Sequence, residues 1–506
     1  MKTKLMALLL ALLMLSSCVL FGCATGTEGG AGGGAGGNAT AGEAEDPKEK
    51  YDAEIKNLNG HEFRFYAPEA TSEHYRGHEI YAEAPNGDKV NDAVFQRNAQ
   101  LQQIYNCTIV MDGSVGSKVD ETLRDPLMAG EYVADIVYGG VTMMINLASA
   151  NLLVDYNDLE NIDLSKVWWD DGFTTGVNVG GKTFMINGSA GTSEDLGGWI
   201  MCYNKDYVKE YKSDLDLYQK VREGAWNMDL FYEIFTNTWK DNDGDGVMVI
   251  GTDRFGYTGA YQDNWMLLQS NGLTIANYTS SGEIEITDQP KQELMDAWSK
   301  LRPVLTSPYR DVSDAPTYVR SGKSTFAIST VGAVVMKAGQ SKVNMGILPV
   351  PKLYENQADY GSAVYFGLAP AFSIPVTVEH ATDYAANGFT SGAEQAAYFL
   401  EAFAYYSHVI LKPAFYEQVM LKQNATDAES AEMVETALRN KHYDPVAGYR
   451  WGSLVNAFYV CGYDKPYQPG SDINYDNLVS YYTARVKGTR KVIENYIEAI
   501  YATDIG

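Results

Sequence analysis

ADIVYGG, Ala134 to Gly140, runs without a break into VTMMINLASANL, Val141 to Leu152. A short apolar stretch closed by two glycines, then apolar residues at helical spacing, reads as a buried strand feeding a helix. The preceding sequence repeats the pattern. HEFRFYAP (His61–Pro68) reads as a strand, and Asn91 is placed to cap a helix, NDAVFQRNAQLQQIYN, with Val94, Leu101, Ile104 and Tyr105 at helical spacing. CTIVMDG (Cys107–Gly113) is a second strand, and VDETLRDPLMAG (Val119–Gly130) fits a helix. Strand, helix, strand, helix, strand predicts an α/β fold, a parallel sheet with helices on both faces. Ligands of such sheets bind beyond the carboxyl ends of the strands, which here are Ala67-Pro68-Glu69 and Tyr138-Gly139-Gly140.

Residues 1–22 read as a signal peptide of the lipoprotein type. Lys2 and Lys4 precede an apolar run from Leu5 to Leu15 that is too short to span a bilayer with those flanks. LSSC and LFGC both resemble the lipobox of bacterial lipoproteins. Cys23 is the expected lipidated residue, because it leaves a polar start; Cys18 is the alternative. Residues 23–53 are rich in glycine and read as a flexible tether, so the expected location is extracytoplasmic, anchored to the membrane by an N-terminal lipid alone.

The body is acidic: 65 Asp and Glu against 39 Lys and Arg give a net charge of −26, which argues against nucleic-acid or anionic-lipid binding. Cys107, Cys202 and Cys461 sit in strand-like settings, as buried thiols would. With 36 tyrosines and 8 tryptophans, the chain is well supplied with rings that combine an apolar face and a polar tip.

AGEYVADIVYGG, MCYNKDYVKEY, GAWNMDLFYEIF and MGILPVPK follow one another in the order and spacing seen in extracellular solute-binding proteins of ABC importers. The chain resembles the carbohydrate-associated group whose fold is like that of maltose-binding protein, from about residue 55 to 500. The resemblance implies a two-lobed periplasmic-binding-protein-like fold, each lobe a mainly parallel sheet flanked by helices, joined by crossing hinge strands. Residues 54–199 would open lobe 1, 200–365 form most of lobe 2, and 366–506 return to lobe 1 and close both. The first crossing is expected near Tyr203–Asp206 and the second near GSAVYFGLAPAFSIPV (Gly361–Val376).

The implied function is capture of a small solute, a sugar or oligosaccharide, and its delivery to ABC permease subunits by a monomeric receptor that is not an enzyme. Positions matching ligand-contacting segments of that family are Tyr138, Glu194, Asp195, Trp199, Tyr257, Trp265, Tyr365 and Trp451. Trp168, Trp169, Trp226, Trp239 and Trp298 look structural instead. The competing classes are a surface-anchored glycosidase and a polysaccharide-binding adhesin.

Context decides how three further motifs read. GVNVGGKT (Gly176–Thr183) has the letters of a phosphate loop but follows a polar stretch and opens into TFMING, which reads as strand. His74 and His78 in EHYRGHE could ligate zinc on a helix, but Gly77 argues for a loop. DNDGDG (Asp241–Gly246) places Asp241, Asp243 and Asp245 at the first ligand positions of a calcium loop, with the carbonyl of Val247 next. The twelfth position is Thr252, and Asp253 follows one place late. No cofactor is required by the proposed activity; a structural calcium at this loop is the one metal expected.

Overall fold

The structure is a computed structural model that describes residues 48–68, 79–114, 118–279, 281–312, 315–335, 341–367, 369–381, 383–422, 428–460 and 477–502. The signal peptide, Cys18, Cys23, Cys461, His74 and His78 lie outside the described residues.

Strand β1 (His61–Pro68) pairs in parallel with β2 (Cys107–Ser114), His61 opposite Cys107 and Pro68 opposite Ser114. On its other side it pairs with β3 (Ile136–Gly140). Alternate residues Phe63, Phe65 and Ala67 point into the core, which is what a strand with one face on the core requires. The crossover after β1 includes the helix Lys89–Tyr105. Its N-cap is Asp88, whose carboxylate accepts from Val90 and Asn91 N–H at 3.1 Å each. The helix therefore starts ahead of the expected cap at Asn91. Val119–Met128 is the second crossover helix, and Val141–Ala148 follows β3 as its sequence predicts.

A second sheet holds β4 (Trp199–Asn204), β5 (Phe255–Gly259), β8 (Arg310–Val312), β9 (Ser324–Thr330) and β10 (Met345–Leu348), in the order β10-β4-β9-β5-β8. Between β5 and β8 lies a short hairpin of β6 (Asn277–Tyr278) and β7 (Ile284–Glu285). The chain then forms β11 (Ser362–Ala363) and returns to the first sheet as β12 (Pro370–Ser373), giving the order β12-β3-β1-β2; β13 (Lys441–His442) later pairs with β11.

Both sheets are mainly parallel, as expected, and each is made mixed by a single strand. In each sheet one strand runs against the rest, and it is the strand that arrives from the other half: β4 is antiparallel to β9 and β10, and β12 to β3. The first change of sheet falls within residues 191–198, ahead of Tyr203–Asp206. The second falls between β10 and β12, within or beside the expected stretch.

The helix Gly392–Tyr406 then packs on the first sheet, with Phe399 stacked on Phe63 at 3.7 Å between ring centroids. A π-helical turn, Ser407–Leu411, leads into the helix Lys412–Lys422, and the helix Ala428–Leu438 packs on the second sheet, so this is a third crossing. Phe415 and Val434 share an apolar cluster with Val94 of the first half and Ile200 and Ile347 of the second. The architecture is thus α/β, with two helix-flanked sheets and a chain that passes three times between them. No helix among the described residues is long and apolar enough to cross a membrane.

Candidate functional site

The reversed strands have a consequence for where a ligand can sit. Trp199 at the start of β4 lies opposite Thr330 at the end of β9, and Pro370 at the start of β12 lies opposite Gly140 at the end of β3. The crossings therefore connect the carboxyl ends of both sheets, the edge at which α/β sheets bind ligands.

A buried cluster of charges occupies this junction. Asp170 caps the helix Asp171–Val177 by accepting from Phe173 N–H at 2.8 Å. Glu194 and Asp195 belong to the single-turn helix Ser193–Leu196 on the first crossing. Lys412 opens the helix after the π turn, and Lys441 comes from β13. Lys441 Nζ reaches Asp170 Oδ2 at 2.6 Å, Glu194 Oε1 at 2.8 Å and Asp195 Oδ1 at 3.3 Å, while Lys412 Nζ reaches Asp195 Oδ2 at 2.5 Å. The Tyr443 hydroxyl contacts Glu194 Oε1 and, at 3.0 Å, Asp170 Oδ2.

Burial by itself would raise every carboxyl here, since it disfavours the charged form. At Asp195 the two ammoniums of Lys412 and Lys441 outweigh it, and the group is held below the usual range. Asp170 is likewise lowered, by Lys441 against burial. At Glu194 burial prevails over Lys441, and the carboxyl is pushed up to about 7. Lys441 is raised well above its ordinary value because Glu194, Asp170 and Asp195 together exceed the desolvation that would lower it.

Beside the cluster opens a cavity of about 440 Å³, within the range of small-ligand sites. The first half contributes Asp170, Asp171 and Ser189 to its wall; Asn440 and Lys441 come from the chain beyond the third crossing, and Tyr416 from the crossing helix. His408, also on the wall, holds Ser189 Oγ through Nδ1 at 2.9 Å and is kept neutral by burial and by Lys412. Nearby, the buried Glu79 accepts from the backbone N–H of Thr192 and, at 3.1 Å, of Ser193, pinning the crossing segment to the first half.

The eight residues picked from sequence do not converge on one point. Glu194 and Asp195 are in the cluster just described. Trp199 is buried behind them, and its Nε1 finds no hydrogen-bond partner among the described residues. Tyr138 is a core residue tilted against Phe372, 4.7 Å between centroids. A second buried group forms at the end of β5. Tyr257 donates to Asp263 Oδ2 at 2.9 Å, Arg310 lies over the Tyr257 ring and donates to Asn264 Oδ1 at 3.1 Å, and Asp263 is pushed up to about 7 by burial. Trp265 is fully buried next to this group, its indole N–H donating to Gln269 at 2.7 Å. Tyr365 is half-buried and accepts from Arg450, and Trp451 packs between Tyr449 and Tyr496. Lys412, Lys441, Asp170 and Tyr443 escaped the sequence reading. No local spacing marks them; their one common feature is the place to which the crossings bring them.

Of the expected structural tryptophans, Trp168 and Trp169 both donate their indole N–H to Glu401, Trp226 and Trp298 are buried, and Trp239 stacks on Tyr309 at 4.2 Å. GVNVGGKT forms a tight turn, with Val179 bridging to Lys182, and no helix follows it. At the acidic loop, Asp241, Asp243 and Asp253 come together, and Asp245 is not part of the group. Asp241 accepts from Gly244 N–H at 2.6 Å and Gly246 N–H at 2.9 Å; Asp253 accepts from Asn242 N–H at 2.9 Å and Val249 N–H at 2.7 Å. Cys107 and Cys202 are buried free thiols, each pushed up to about 12 by burial and therefore unsuited to nucleophilic chemistry.

No family model matches the sequence, and no curated protein matches it. Among solved structures, the chain is similar to a cyclo/maltodextrin-binding protein complexed with maltotetraose. That match has 13% identity, covers 89% of this chain and 98% of that one, and has a TM-score of 0.49. It is similar to UgpB from Mycobacterium tuberculosis in complex with glycerophosphocholine, with 12% identity, 87% and 99% covered, and a TM-score of 0.49. A third is the maltose/maltodextrin-binding domain MalE from Bdellovibrio bacteriovorus bound to maltotriose, with 13% identity, 87% and 98% covered, and a TM-score of 0.41.

Proposed function

We propose that this protein is a receptor that holds a small hydroxyl-rich solute, a sugar or short oligosaccharide, at the junction of its two sheets and delivers it to an ABC permease. Lipid attachment at Cys23, with Cys18 as the alternative, would keep it outside the cytoplasm at the membrane. The observation that carries the reading is the polar cavity beside the crossings, walled by segments from each side of them. A solute touching both halves favours their joined arrangement by the contacts it makes only there. Most of the charges at the wall are already paired with one another, so the cavity presents fixed hydrogen-bonding groups without a large uncompensated field. That suits a neutral polyhydroxyl ligand better than an ion.

The test is a thermal-shift screen of purified protein against sugars, polyols and peptides, followed by calorimetry on any hit. A bound solute at a hundred times its dissociation constant stabilises the protein by about 2.7 kcal/mol. Ser189→Ala and Asn440→Ala should weaken binding and leave the ligand-free fold intact. Undiminished binding in both variants would remove the cavity as the site. Turnover of a chromogenic glycoside panel would replace the receptor reading by a hydrolase.

A further inference from the structure

The charged cluster at the junction contains an odd carboxylate. Asp170, Glu194 and Asp195 face two ammoniums, Lys412 and Lys441, and Lys441 Nζ lies within 3.3 Å of all three carboxylates. The hydrogen atoms locate the imbalance. The Tyr443 hydroxyl touches two carboxylate oxygens, Asp170 Oδ2 and Glu194 Oε1, and has one proton to give. The other contact needs a proton on a carboxyl. Asp170 lies 2.6 Å from Lys441 and accepts the Phe173 N–H, both of which favour its ionised form. Glu194 is fully buried, and its Oε2 has no hydrogen-bond partner among the described residues. The arrangement that satisfies every contact has Glu194 donating to Tyr443 and Tyr443 donating to Asp170.

We propose that Glu194 carries this proton while the two halves are joined, and that its loss loosens the junction, making the cluster a proton-controlled latch beside the solute cavity. The inference rests on the cavity being the solute site only for its consequence for binding; the latch itself needs no ligand. With the proton in place, two carboxylates balance two ammoniums. Without it, one buried negative charge has no counterpart, and an uncompensated charge in a buried cluster is strongly unfavourable.

The groups facing Glu194 are Lys441 and Tyr443 from β13 and the residues after it, Asp170 from the cap of Asp171–Val177, and Asp195 from its own turn. Lys412 and Tyr416 face it from the crossing helix. The helix Val331–Val335, which packs against the Ser193–Leu196 turn, presents no ionisable side chain. Burial, working against the attraction of Lys441, raises the Glu194 carboxyl from the ordinary 4.5 to about 7. A Glu194 released into water returns toward the ordinary value. Between these limits the joined arrangement holds one proton more than the loosened one. It is therefore favoured as pH falls, and the advantage is lost as pH rises to about 7. One proton can change the ratio of joined to loosened protein by up to about tenfold per pH unit in this window.

Hydrogen exchange of ligand-free, full-length protein tests this, read on peptides covering residues 192–198 and 440–443 from pH 4.5 to 8.5 and corrected for intrinsic rates. The expected result is protection that falls with rising pH up to about 7 and is level above it, while Glu194→Gln gives no such slope and is better protected than the wild type at pH 8. A wild-type profile that is flat overturns the proposal even if the variant fails to fold, and so does an unchanged slope in folded Glu194→Gln. If the slope is present but cavity variants leave solute binding untouched, the latch stands and the location of the solute is wrong. If solute binds in the cavity and the slope is absent, the latch alone falls.

Discussion

Glu401 shows how much a single buried carboxylate organises. It accepts the indole N–H of Trp168 at 3.0 Å, that of Trp169 at 2.8 Å and the backbone N–H of Asp163 at 3.3 Å. Burial pushes it up to about 7. Glu401→Leu would leave two indole donors and an amide without an acceptor. At about 1–3 kcal/mol for each of the two fully buried indole donors, the expected loss is about 2–6 kcal/mol in urea unfolding. A loss below about 1 kcal/mol would mean that the indoles turn to solvent. At this scale the sequence was informative in part. The tryptophan pair of VWWDDG (Val167–Gly172) looks structural in the sequence and is structural in the fold. That its acceptor would come from a helix more than two hundred residues later was not legible, because nothing near Glu401 in sequence distinguishes it from the other carboxylates.

Elements follow their local signals closely. The helix Met228–Thr238 starts where Asn227 accepts from Asp229 N–H at 3.1 Å and Leu230 N–H at 3.0 Å. Its face of Met228, Phe231, Ile234 and Phe235 meets the second sheet, with Phe231 edge-on to Tyr257 at 5.2 Å and to Phe326 at 5.3 Å. Gly256 lets strand β5 pass against the Phe235 carbonyl, where a Cβ would collide with backbone. Asn227→Ala should cost about 1 kcal/mol through the lost cap, and Phe231→Ala about 3–5 kcal/mol through the cavity it leaves. Chemical denaturation with both variants checks the ordering. A cap loss equal to the core loss would contradict the placement of Phe231. Periodicity located the strands β1 and β2 because each buries one face, and burying one face imposes a repeat on the chain, whereas β3 is buried throughout and is marked instead by its unbroken apolar run and closing glycines. Periodicity misplaced the start of Lys89–Tyr105 because Asp88 and Asn91 are both able caps, and the carboxylate that reaches the free N–H groups is decided by the backbone path into the helix.

For the whole molecule, the shifted groups predict a stability maximum on the acid side of neutrality. Glu194, Glu401 and Asp263 are each raised to about 7 by burial, so each contributes stability that is complete below its ordinary pKa and lost as pH rises to about 7. His61, held by Asp135 and Asp383 against burial, is also raised and acts in the same direction. His408 and His442 are lowered by burial and oppose the trend, losing stability as pH falls through the ordinary histidine value. Asp170 and Asp195 are lowered and lose theirs only in stronger acid. The net charge of −26 at pH 7, which relaxes on acidification, adds to the first set. Calorimetric melting should therefore give a higher Tm near pH 5 than at pH 8; a Tm that climbs steadily from pH 5 to 8 would show that the buried carboxyls ionise without penalty.

From sequence alone came the α/β class and the first three strands with their parallel order; a second crossing near residues 361–376, and Glu194 and Asp195 as ligand-contacting positions, were implied by the family resemblance. The strands are local or periodic features: a strand that must bury a face, a turn that needs its glycines. Tertiary structure alone decided that the strand arriving in each sheet runs against its neighbours, and that the carboxyl ends of both sheets meet where the chain crosses. It also decided that Lys412, Lys441, Asp170 and Tyr443 gather around Glu194. The physical reason is range. Hydrogen-bonded elements write their repeat into neighbouring residues, whereas a buried charge is matched by whatever the crossings carry within about 3 Å of it, and that distance has no counterpart along the chain.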